Sequence, residues 1–396
     1  MNKKTVRDLD VGGKRVLVRV DFNVPVKGGE VTDDTRIERA LPTIRHLISE
    51  GAHPILISHL GRPKGEPDPK YAMDPVARRL EELLGEPVTK LDAAVGPEVE
   101  EALDDWDGRG VVLLENSRFY PGETGNDPEF SDRLAALADL YVDDAFGAAH
   151  RAHATTVGLA ERLPAAAGLL LEEEVDYLDA LLESPERPFV AILGGAKVSD
   201  KLGVIESLLA VADTLLVGGA MCFTFFKARG YEIGGSLVED DYVEEAKRLM
   251  DDAGEKLVLP VDVVVAEKME EGAEAETMGI DEIPPDKMGL DIGSRTVELF
   301  EEHISGAKTI FWNGPMGVFE IDAFAEGTEG VARAVAAASS EGGATSVIGG
   351  GDSVAAVRKL GLEERMSHIS TGGGASLEYV EGKELPGVAA LPEKGE

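Results

Sequence analysis

Short apolar runs recur along the entire chain, and they constrain the fold more than any other feature of the sequence. Each run is nearly continuous and rich in valine, isoleucine and leucine, with little alternation of polar residues. The runs are RVLVRV at 15–20, PILIS at 54–58, VVLLE at 111–115, LYV at 140–142, FVAIL at 189–193, TLLVG at 214–218, LVLPVDVVV at 257–265, TIFW at 309–312 and TSVI at 345–348. Continuous apolar strands are typical of parallel sheets that are covered on both faces.

Segments of helical periodicity separate these runs. Residues 35–50, for example, place isoleucine and leucine on one helical face and are followed by Gly51, a residue type that commonly ends helices. Strands that alternate with helices predict the α/β class. A chain of 396 residues also exceeds what one hydrophobic core usually organises, so we expect two lobes, each a parallel sheet flanked by helices.

The composition is strongly acidic, with 75 acidic against 39 basic residues and a formal net charge of −36. This charge argues against nucleic acid or an anionic membrane as a partner, because both require a basic face. At about 1 M salt the screening length falls to ~3 Å, so repulsion between surface carboxylates that would strain the fold in dilute buffer is largely removed. The composition therefore predicts a halophilic protein. The chain has one cysteine, Cys222, and no apolar run long enough to span a bilayer, so we expect a reducing, cytoplasmic compartment.

Basic and short polar side chains follow the apolar runs of the first half. They are Asp21, Asn23, His59, Arg62, Arg118, His150 and Arg151, with Arg36 at the start of the helical segment at 35–50. The carboxyl ends of parallel strands lie at one edge of a sheet, where ligands bind, so we expect these side chains to form one site. Clustered arginines predict a ligand with several negative charges.

Each of these residues has another interpretation when it is considered alone. An isolated arginine is usually solvated or ion-paired at the surface, and Asp21 and Asn23 suit a turn before Pro25. His150 and His153 have a spacing that suits a metal, although no nearby cysteine or HExxH pattern supports one. The recurrence of such residues at successive strand ends is what favours an anion site.

Glycine-rich loops follow the apolar runs of the second half. The loops are LGGAK at 193–197, VGGAM at 217–221, GGGDS at 349–353 and GGGAS at 372–376. Glycine lets the backbone approach a ligand, and the amides of a following helix attract negative charge, so the loops predict a nucleotide site. Neither G-x-G-x-x-G in its full context nor G-x-x-x-x-G-K-[ST] is present, and one such loop alone is more often a tight turn.

Charged residues accompany these loops. Lys197 and Lys201 lie four residues apart and are predicted to project to one side at a helix start, where an anionic ligand would offset the unfavourable helix dipole. Asp352 either caps the next helix, as Ser353 also could, or holds Mg²⁺ that bridges nucleotide phosphates. Glu320, which ends the turn FWNGPMGVFE, is a candidate acceptor for ribose hydroxyls.

These segments closely resemble those of the phosphoglycerate kinase family, and the resemblance runs from end to end. It rests on VRVDFNVP, SHLGRPKG, AFGAAHRAHAT, LGGAKVSDKLGVIE, WNGPMGVFE, GGGDSVAAV and STGGGASLEYVEGKELPGVAAL. The resemblance implies two Rossmann-like lobes joined by a hinge helix and a monomeric enzyme. It also implies in-line phosphoryl transfer from 1,3-bisphosphoglycerate to ADP across a closing cleft between the lobes, giving 3-phosphoglycerate and ATP.

The predicted domain bounds combine this resemblance with the change from basic to glycine-rich loops near the middle of the chain. They are 1–164 for a phosphoglycerate-binding lobe, 165–184 for the hinge helix, 185–375 for a nucleotide-binding lobe, and 376–396 for a segment that returns to the first lobe. Periodicity alone leaves 165–184 equally consistent with an ordinary surface helix within one lobe.

The resemblance also implies roles for individual residues. Asp21 and Asn23 would hold the hydroxyl and carboxyl region of the glycerate, and the phosphate and reacting carboxyl would be gripped by Arg36, His59, Arg62, Arg118 and Arg151, with His150 nearby. Lys197 and Lys201 would stabilise the transferring phosphoryl group. The nucleotide would be lined by Gly293, Asn313, Glu320, Gly350, Gly351, Asp352 and Ser353, with Asp352 on Mg²⁺. Ser353 replaces the family's common threonine, and GAAHRAH replaces its more usual Gly-Thr-Ala; both changes keep small residues.

This chemistry requires no nucleophilic serine and no general base. The group that attacks ATP is a carboxylate, which is already ionised near neutral pH. Alignment and charge neutralisation remain, and Arg36 and Lys197 are expected to contribute most. Two alternatives stay open: a nicotinamide-dependent dehydrogenase, against which the missing dinucleotide fingerprint counts, and a two-lobed binding protein for anionic metabolites. Acetate- or carbamate-type kinases share acyl-phosphate chemistry but not these motifs.

Overall fold

Two compact units make up the chain in a computed structural model that describes residues 1–395. The first unit comprises Met1–Asp176 together with the C-terminal residues from Glu384 onward, and the second comprises Tyr177–Lys383. Each unit contains a six-stranded sheet whose strands all pair in parallel, with helices between consecutive strands. The predicted α/β class with two parallel sheets is therefore confirmed.

The first unit is built around a sheet with the strand order β5-β6-β4-β1-β7-β8. Its strands are β1 (Arg15–Arg19), β2 (Val26–Lys27), β3 (Glu30–Val31), β4 (His53–Ile57), β5 (Val88–Lys90), β6 (Val111–Leu113), β7 (Leu140–Asp143) and β8 (Ala165–Ala167), of which β2 and β3 form a separate hairpin. Its helices are α1 (Thr35–Ser49), α2 (Asp74–Leu84), α3 (Pro97–Asp105) and α4 (Pro128–Ala135), and α5 (Leu169–Glu183) begins in this unit.

Strand β1 lies at the centre of this sheet, between β4 and β7. The register pairs Arg19, the last residue of β1, with Ile57 on one side and Asp143 on the other. The carboxyl ends of these strands therefore lie at one edge of the sheet, and the loops that follow them leave from that edge.

The second unit is built around a sheet with the strand order β11-β10-β9-β15-β16-β17. Its strands are β9 (Phe189–Leu193), β10 (Thr214–Val217), β11 (Leu257–Val258), β12 (Asp262–Ala266), β13 (Glu276–Gly279), β14 (Met288–Ile292), β15 (Thr309–Asn313), β16 (Thr345–Gly349) and β17 (His368–Ile369). Its helices are α6 (Leu202–Val211), α7 (Cys222–Ala228), α8 (Val243–Ala253), α9 (Ser294–Ser305), α10 (Glu326–Ser340), α11 (Gly351–Lys359) and α12 (Gly374–Val380). The short helix α13 (Pro386–Ala389) belongs to the first unit.

The apolar run at 257–265 does not form one parallel strand. It is divided into β11, which pairs with β10, and β12, which joins an antiparallel sheet of order β13-β12-β14. Pro260 lies between the two strands and has no backbone N–H to continue a ladder. The expectation that every apolar run belongs to a parallel sheet was wrong at this place.

The segment predicted as a helix over 165–184 begins as a strand. Ala165–Ala167 forms β8 at the edge of the first sheet, because burial of these small side chains beside β7 outweighs the helix preference of alanine. Helix α5 starts at Leu169, whose N–H donates to Thr43 Oγ1 at 2.9 Å. The carboxylate of Asp144 accepts from the N–H of Leu170 at 2.9 Å and stabilises this first turn.

The boundary between the units falls within α5, after Asp176. The chain returns to the first unit at Glu384, eight residues later than the predicted 376, because α12 packs on α6 of the second unit. Ser207 on α6 donates from Oγ to the carbonyl of Val380 on α12. Beyond Glu384, Gly387 donates its N–H to the carbonyl of Ala149 at 2.8 Å.

No helix within residues 1–395 combines the length and the apolar character that crossing a bilayer requires.

Candidate functional site

The loops at the carboxyl ends of β1, β4, β6 and β7 carry the basic residues that the sequence predicted. We call the following set the basic cluster: Asp21, Asn23, Arg36, His59, Arg62, Arg118, His150 and Arg151. Arg36 lies in the first turn of α1, and Arg118 lies in the short turn Ser117–Phe119 after β6. The structure brings the members of this set together within the first unit, and His150 and Arg151 join the others through His153, on which they and Arg118 act.

Hydrogen bonds connect the loops of the basic cluster. The guanidinium of Arg36 donates to Asp21 Oδ2 at 2.9 Å and to the carbonyl of Asn23 at 3.3 Å. Asn23 Oδ1 accepts the N–H of Gly61 at 2.8 Å, and the carbonyl of Gly61 accepts from Arg118 Nη1 at 2.8 Å. The loops after β1, β4 and β6 are therefore held in a fixed relation to one another.

Arginine charges in the cluster act on one another. The pKa of Arg118 is lowered by burial and by the neighbouring charges of Arg19 and Arg62. Burial, Arg19, Arg118 and Arg151 lower the pKa of His153 to about 4. So many positive charges in one place are unfavourable without a counter-ion, and an anionic ligand would relieve this repulsion.

A buried polar network beneath the basic cluster was not predicted from the sequence. Arg19 is fully buried and donates from Nε to Thr155 Oγ1 at 2.8 Å. The Thr155 hydroxyl donates in turn to Glu123 Oε1 at 2.6 Å, and Glu123 is also fully buried. The available signal was an arginine inside the apolar run RVLVRV, because a charge in a buried strand requires a partner.

His59 is the member of the basic cluster that this network contacts. Its Nδ1 lies 2.9 Å from Arg19 Nη2, and only 6% of the residue is exposed. Burial lowers the pKa of His59 well below its usual value, and the charges of Arg19, Arg118 and Arg36 lower it further. His59 is therefore a neutral imidazole at pH 7.

A pocket of about 550 Å³ lies in the second unit beside the loops that follow β9 and β10. Its lining is mainly apolar and includes Phe223, Leu237, Met269, Met288, Leu290 and Val318. Gly219 adopts φ +68° at its wall, and a Cβ there would lie 2.5 Å from the backbone nitrogen of Gly195, so the two loops can approach this closely only with glycine. Apolar walls with few polar groups suit a planar heterocyclic base.

Only part of the predicted nucleotide set lines this pocket. Glu320 and Asp352 are among its lining residues and are exposed to solvent. Gly293 precedes α9 and packs against Asp262, whose Oδ1 accepts the N–H of Thr296 at 2.8 Å. Ser353 is fully buried, and its Oγ accepts the N–H of Gly314 at 2.6 Å. The structure thus gives Gly293 and Ser353 packing roles outside the pocket lining.

Lys201 lies at the start of a helix, as the sequence predicted, whereas Lys197 lies in the loop before it. Helix α6 begins at Leu202 with Lys201 as its N-cap residue, and Lys197 is an exposed residue of the preceding loop. The ammonium group of Lys201 donates to Asn313 Oδ1 at the end of β15. Burial lowers the pKa of Lys201 to about 8, although the carboxylates of Asp200, Asp352 and Glu381 oppose this shift.

Polar groups next to Lys201 are positioned for a ligand. Asn313 is buried, and its Nδ2 has no hydrogen-bond partner within residues 1–395. A Cβ on Gly350, which adopts φ +86°, would lie 3.0 Å from this nitrogen, so glycine keeps the backbone close to it. Gly351 then opens α11, and its exposed first turn carries Asp352. Unpaired donors beside a helix start suit phosphate oxygens.

The side chains that could ligate Mg²⁺ decide whether the second unit can hold this ion. Within the described part of the chain, residues 1–395, no group of three or more histidine, cysteine, aspartate or glutamate side chains converges as a metal site. Asp352 offers a single exposed carboxylate. One carboxylate fits Mg²⁺ only when phosphate oxygens and water supply its other ligands, as they do for nucleotide complexes.

Comparisons with known proteins agree on one family. The family model for phosphoglycerate kinase matches residues 6–383. A phosphoglycerate kinase of Rubrobacter xylanophilus is 78% identical over 396 residues, and the alignment covers all of both chains. A phosphoglycerate kinase of Thermosipho africanus is 57% identical over 398 residues, and the alignment covers 100% of this chain and 99% of the relative. Solved phosphoglycerate kinases of Coxiella burnetii (TM-score 0.87, 42% identity) and Pyrococcus horikoshii (TM-score 0.85, 34% identity) each match over 98% of both chains.

Proposed function

The chain belongs to the phosphoglycerate kinase family, and we propose from this premise that the basic cluster binds the phosphoglycerate substrate and that the pocket of the second unit binds ADP or ATP. The enzyme transfers a phosphoryl group from 1,3-bisphosphoglycerate to ADP, giving 3-phosphoglycerate and ATP, as a step of glycolysis. The observation that carries the site assignment is the set of arginines at the strand ends of the first unit, where hydrogen bonds fix Arg36 and Arg118.

The basic cluster matches the charge of 3-phosphoglycerate, which carries a phosphate and a carboxylate. Guanidinium groups bind both kinds of anion through paired N–H donors. Asp21 and Asn23 supply the polar oxygens that a substrate hydroxyl requires, and contacts with Arg36 and with the N–H of Gly61 already fix the position of Asn23. We therefore assign Arg36, His59, Arg62, Arg118 and Arg151 to the anionic groups, with His150 nearby and Asp21 and Asn23 at the hydroxyl and carboxyl region.

The chemistry of the transfer needs charge stabilisation and no proton abstraction. The attacking carboxylate of 3-phosphoglycerate is ionised near neutral pH, so no base has to remove a proton from it. Lys197 and Lys201 are proposed to stabilise the negative charge on the phosphoryl group during its transfer. Lys197 is exposed, whereas Lys201 is half-buried and held by Asn313, which supports two different contributions.

The nucleotide is proposed to bind with its base among the apolar side chains of the pocket and its phosphates beside Asn313, Gly350 and Gly351. Glu320 at the pocket edge is assigned to the ribose hydroxyls. Gly293 and Ser353 would support this site through packing. Asp352 would hold Mg²⁺, which supplies charge neutralisation at the phosphates when it is bound.

In-line transfer requires both ligands to meet, and we propose that closure of the two lobes about residues 165–184 brings them together. Position 176, where one unit ends, lies within α5, which supports a hinge role for this helix. Closure would also exclude water, which otherwise hydrolyses the acyl phosphate. Small-angle scattering should give a smaller radius of gyration with both ligands bound, and an unchanged radius would contradict the closure.

A halophilic, cytoplasmic enzyme is proposed from composition, and a monomer is proposed from membership of the family. The support is the net charge of −36 and the single cysteine, which is buried. Screening by salt should relieve carboxylate repulsion, so the thermal midpoint of unfolding is expected to be higher in molar KCl than in dilute buffer. An equal or higher midpoint in dilute buffer would contradict the halophilic origin, and sedimentation in the same series measures the oligomeric state.

The proposed function is tested by ADP-dependent formation of ATP from 1,3-bisphosphoglycerate, measured from low to multimolar KCl. We expect ATP formation that depends on Mg²⁺ and on both substrates. Titration with each substrate alone should show saturable binding of 3-phosphoglycerate and of ADP to separate sites. A folded enzyme that forms no ATP at any salt concentration would contradict the assignment, and reduction of NAD⁺ would favour the dehydrogenase alternative.

A further inference from the structure

Arg19 lies beneath the basic cluster and is shielded from solvent, so it is not placed to bind the substrate directly. It is fully buried, and its guanidinium donates to Thr155 Oγ1 and to the carbonyl of Val20. Its remaining contact joins Nη2 to Nδ1 of His59 at 2.9 Å. Two buried carboxylic acids interact electrostatically with Arg19: Glu123, which accepts from Thr155, and Asp143, its neighbour on β7.

The chemistry of the Arg19–His59 contact determines the position of a proton. A guanidinium carries only donors and does not lose its charge in proteins. At a distance of 2.9 Å, His59 Nδ1 must therefore be the acceptor and cannot carry hydrogen. A neutral imidazole with a bare Nδ1 carries its proton on Nε2, on the other side of the ring.

The charges around His59 favour this state over the imidazolium. Arg19 on β1, Arg36 on α1 and Arg118 in the turn after β6 are the cations that act on the ring, and His153 acts on it as well. Each of these groups disfavours a positive charge on His59, and burial disfavours it further. Within residues 1–395 the ring of His59 is hydrogen-bonded through Nδ1, so an N–H on Nε2 remains available to a ligand.

We propose that Arg19 is a positioning residue that holds His59 as a neutral imidazole with its proton on Nε2 and thereby presents a fixed N–H donor to the anionic substrate. This inference rests on the proposed function of the basic cluster. Its consequence is that His59 contributes direction and specificity to binding while the arginines contribute charge. Binding through His59 should then be insensitive to pH across the range in which an ordinary histidine titrates.

The state of His59 can be read directly by long-range ¹H–¹⁵N correlation spectra of the histidine rings in the full-length, ligand-free enzyme. The chain has 7 histidines, and the signals that disappear in H59Q identify His59. We expect the Nε2–H tautomer with no titration between about pH 6 and pH 9. An imidazolium or an Nδ1–H tautomer at pH 7 would overturn the proposal.

His53 provides an internal control. Its Nδ1 lies 3.3 Å from the carbonyl of Gly108, which can only accept, so His53 should show the opposite tautomer, with the proton on Nδ1. Observation of the two tautomers in one spectrum above about pH 8 would show that the experiment distinguishes them. Identical patterns for His53 and His59 would contradict the assignment.

The role of Arg19 itself is tested by substitution. Arg19→Gln alone leaves Glu123 without its cation, so the double variant R19Q/E123Q keeps the buried charge balanced and is checked for folding by circular dichroism. We expect His59 to show mixed tautomers in this variant and 3-phosphoglycerate to bind about tenfold more weakly. Arg19→Lys should retain the Nε2–H tautomer, because an ammonium group also only donates.

These results separate the inference from the proposed function. An unchanged His59 tautomer and unchanged binding in R19Q/E123Q would overturn the positioning role of Arg19 while ATP formation continued. Failure of the ATP assay in an enzyme whose His59 shows the expected tautomer would instead contradict the proposed function. If R19Q/E123Q did not fold, the tautomer in the wild-type enzyme and in R19K would still decide the inference.

Discussion

The two units use different physical means to prepare a ligand site. In the first unit, side-chain charges are fixed by hydrogen bonds, such as Arg36 to Asp21 at 2.9 Å and Arg118 to the carbonyl of Gly61 at 2.8 Å. In the second unit, glycine loops and apolar side chains form most of the lining of a pocket, and three carboxylate residues, Asp291, Glu320 and Asp352, complete it. The first arrangement selects a ligand by charge, whereas the second selects it by shape and by backbone contact.

The two sites differ most clearly in the exposure of their apolar side chains. Leu237 is 50% exposed and Met269 is 58% exposed, and both line the pocket of the second unit. A ligand that covers them gains hydrophobic free energy, which a cluster of guanidinium groups does not offer. In the first unit the corresponding free energy comes from relieving repulsion between arginines. Salt should therefore weaken binding to the first unit more than binding to the second.

The largest expected effect comes from removing a charge on the second unit, at Lys197. Such an effect would show that selection by charge is not confined to the first unit. We predict that Lys197→Ala lowers kcat by on the order of 100-fold or more, the loss typical of one major transition-state contact. Lys197 is exposed in a loop, so the substitution should leave the stability unchanged. Steady-state kinetics measure the effect.

Lys256→Ala is the matched control for this prediction. Lys256 is an exposed lysine of the same unit whose Nζ donates to the carbonyl of Leu209, and its removal should leave kcat unchanged. A near-wild-type kcat in Lys197→Ala would contradict the proposed role in transfer and would leave catalysis by charge mainly to the first unit.

The second prediction concerns the charge selectivity of the first unit. Arg36→Ala should weaken binding of 3-phosphoglycerate by about 10- to 100-fold, because the variant loses charged hydrogen bonds and leaves Asp21 without its partner. Affinity for ADP should not change. Isothermal titration with each ligand alone measures both quantities.

Arg45→Ala on the same helix is the control for Arg36. Arg45 is exposed and donates to the carbonyl of Leu83 at 2.9 Å, outside the basic cluster. Equal losses of 3-phosphoglycerate affinity in both variants would indicate a general effect of net charge and not a specific contact.

The two sites were not equally predictable from sequence. Arginine and histidine after buried strands carry their own chemical signal, so the members of the basic cluster could be named without coordinates. Leu237 and Met269 carry no such signal, since an apolar residue that lines a pocket has the same pattern as one in the core. Gly293 and Ser353 were predicted to line the nucleotide site but do not line the pocket. Gly293 packs against Asp262 and Ser353 contacts Gly314, and these contacts depend on distant segments.

The fold shows the same limit. Long apolar runs identified the central strands of both sheets, but β8 was missed because three alanines favour a helix until their burial beside β7 is known. Arg19 was missed as a functional residue for a related reason. Its partner His59 follows β4, and its partner Thr155 lies in the helical turn Ala154–Gly158, so no local pattern records their proximity to Arg19.

The third prediction tests whether the second unit depends on a fixed charge. The pKa of Lys201 is lowered to about 8, so its ammonium is present below that pH and is lost above it. If ADP binding requires the charged form of Lys201, the dissociation constant of ADP should be about tenfold larger at pH 9 than at pH 7. Lys201→Arg keeps the charge at both pH values and should remove this dependence. The same pH dependence in Lys201→Arg would assign it to another group.

The smallest expected effect tests the apolar part of the comparison. Leu237→Ala should weaken ADP binding by about fivefold, since covering the exposed half of a leucine stabilises a complex by about 1 kcal/mol. Binding of 3-phosphoglycerate should not change. Val261→Ala is the control, because Val261 is 41% exposed but does not line the pocket. Equal ADP affinities of Leu237→Ala and the wild type would mean that the base does not cover Leu237, and selection by shape would then rest on the glycine loops alone.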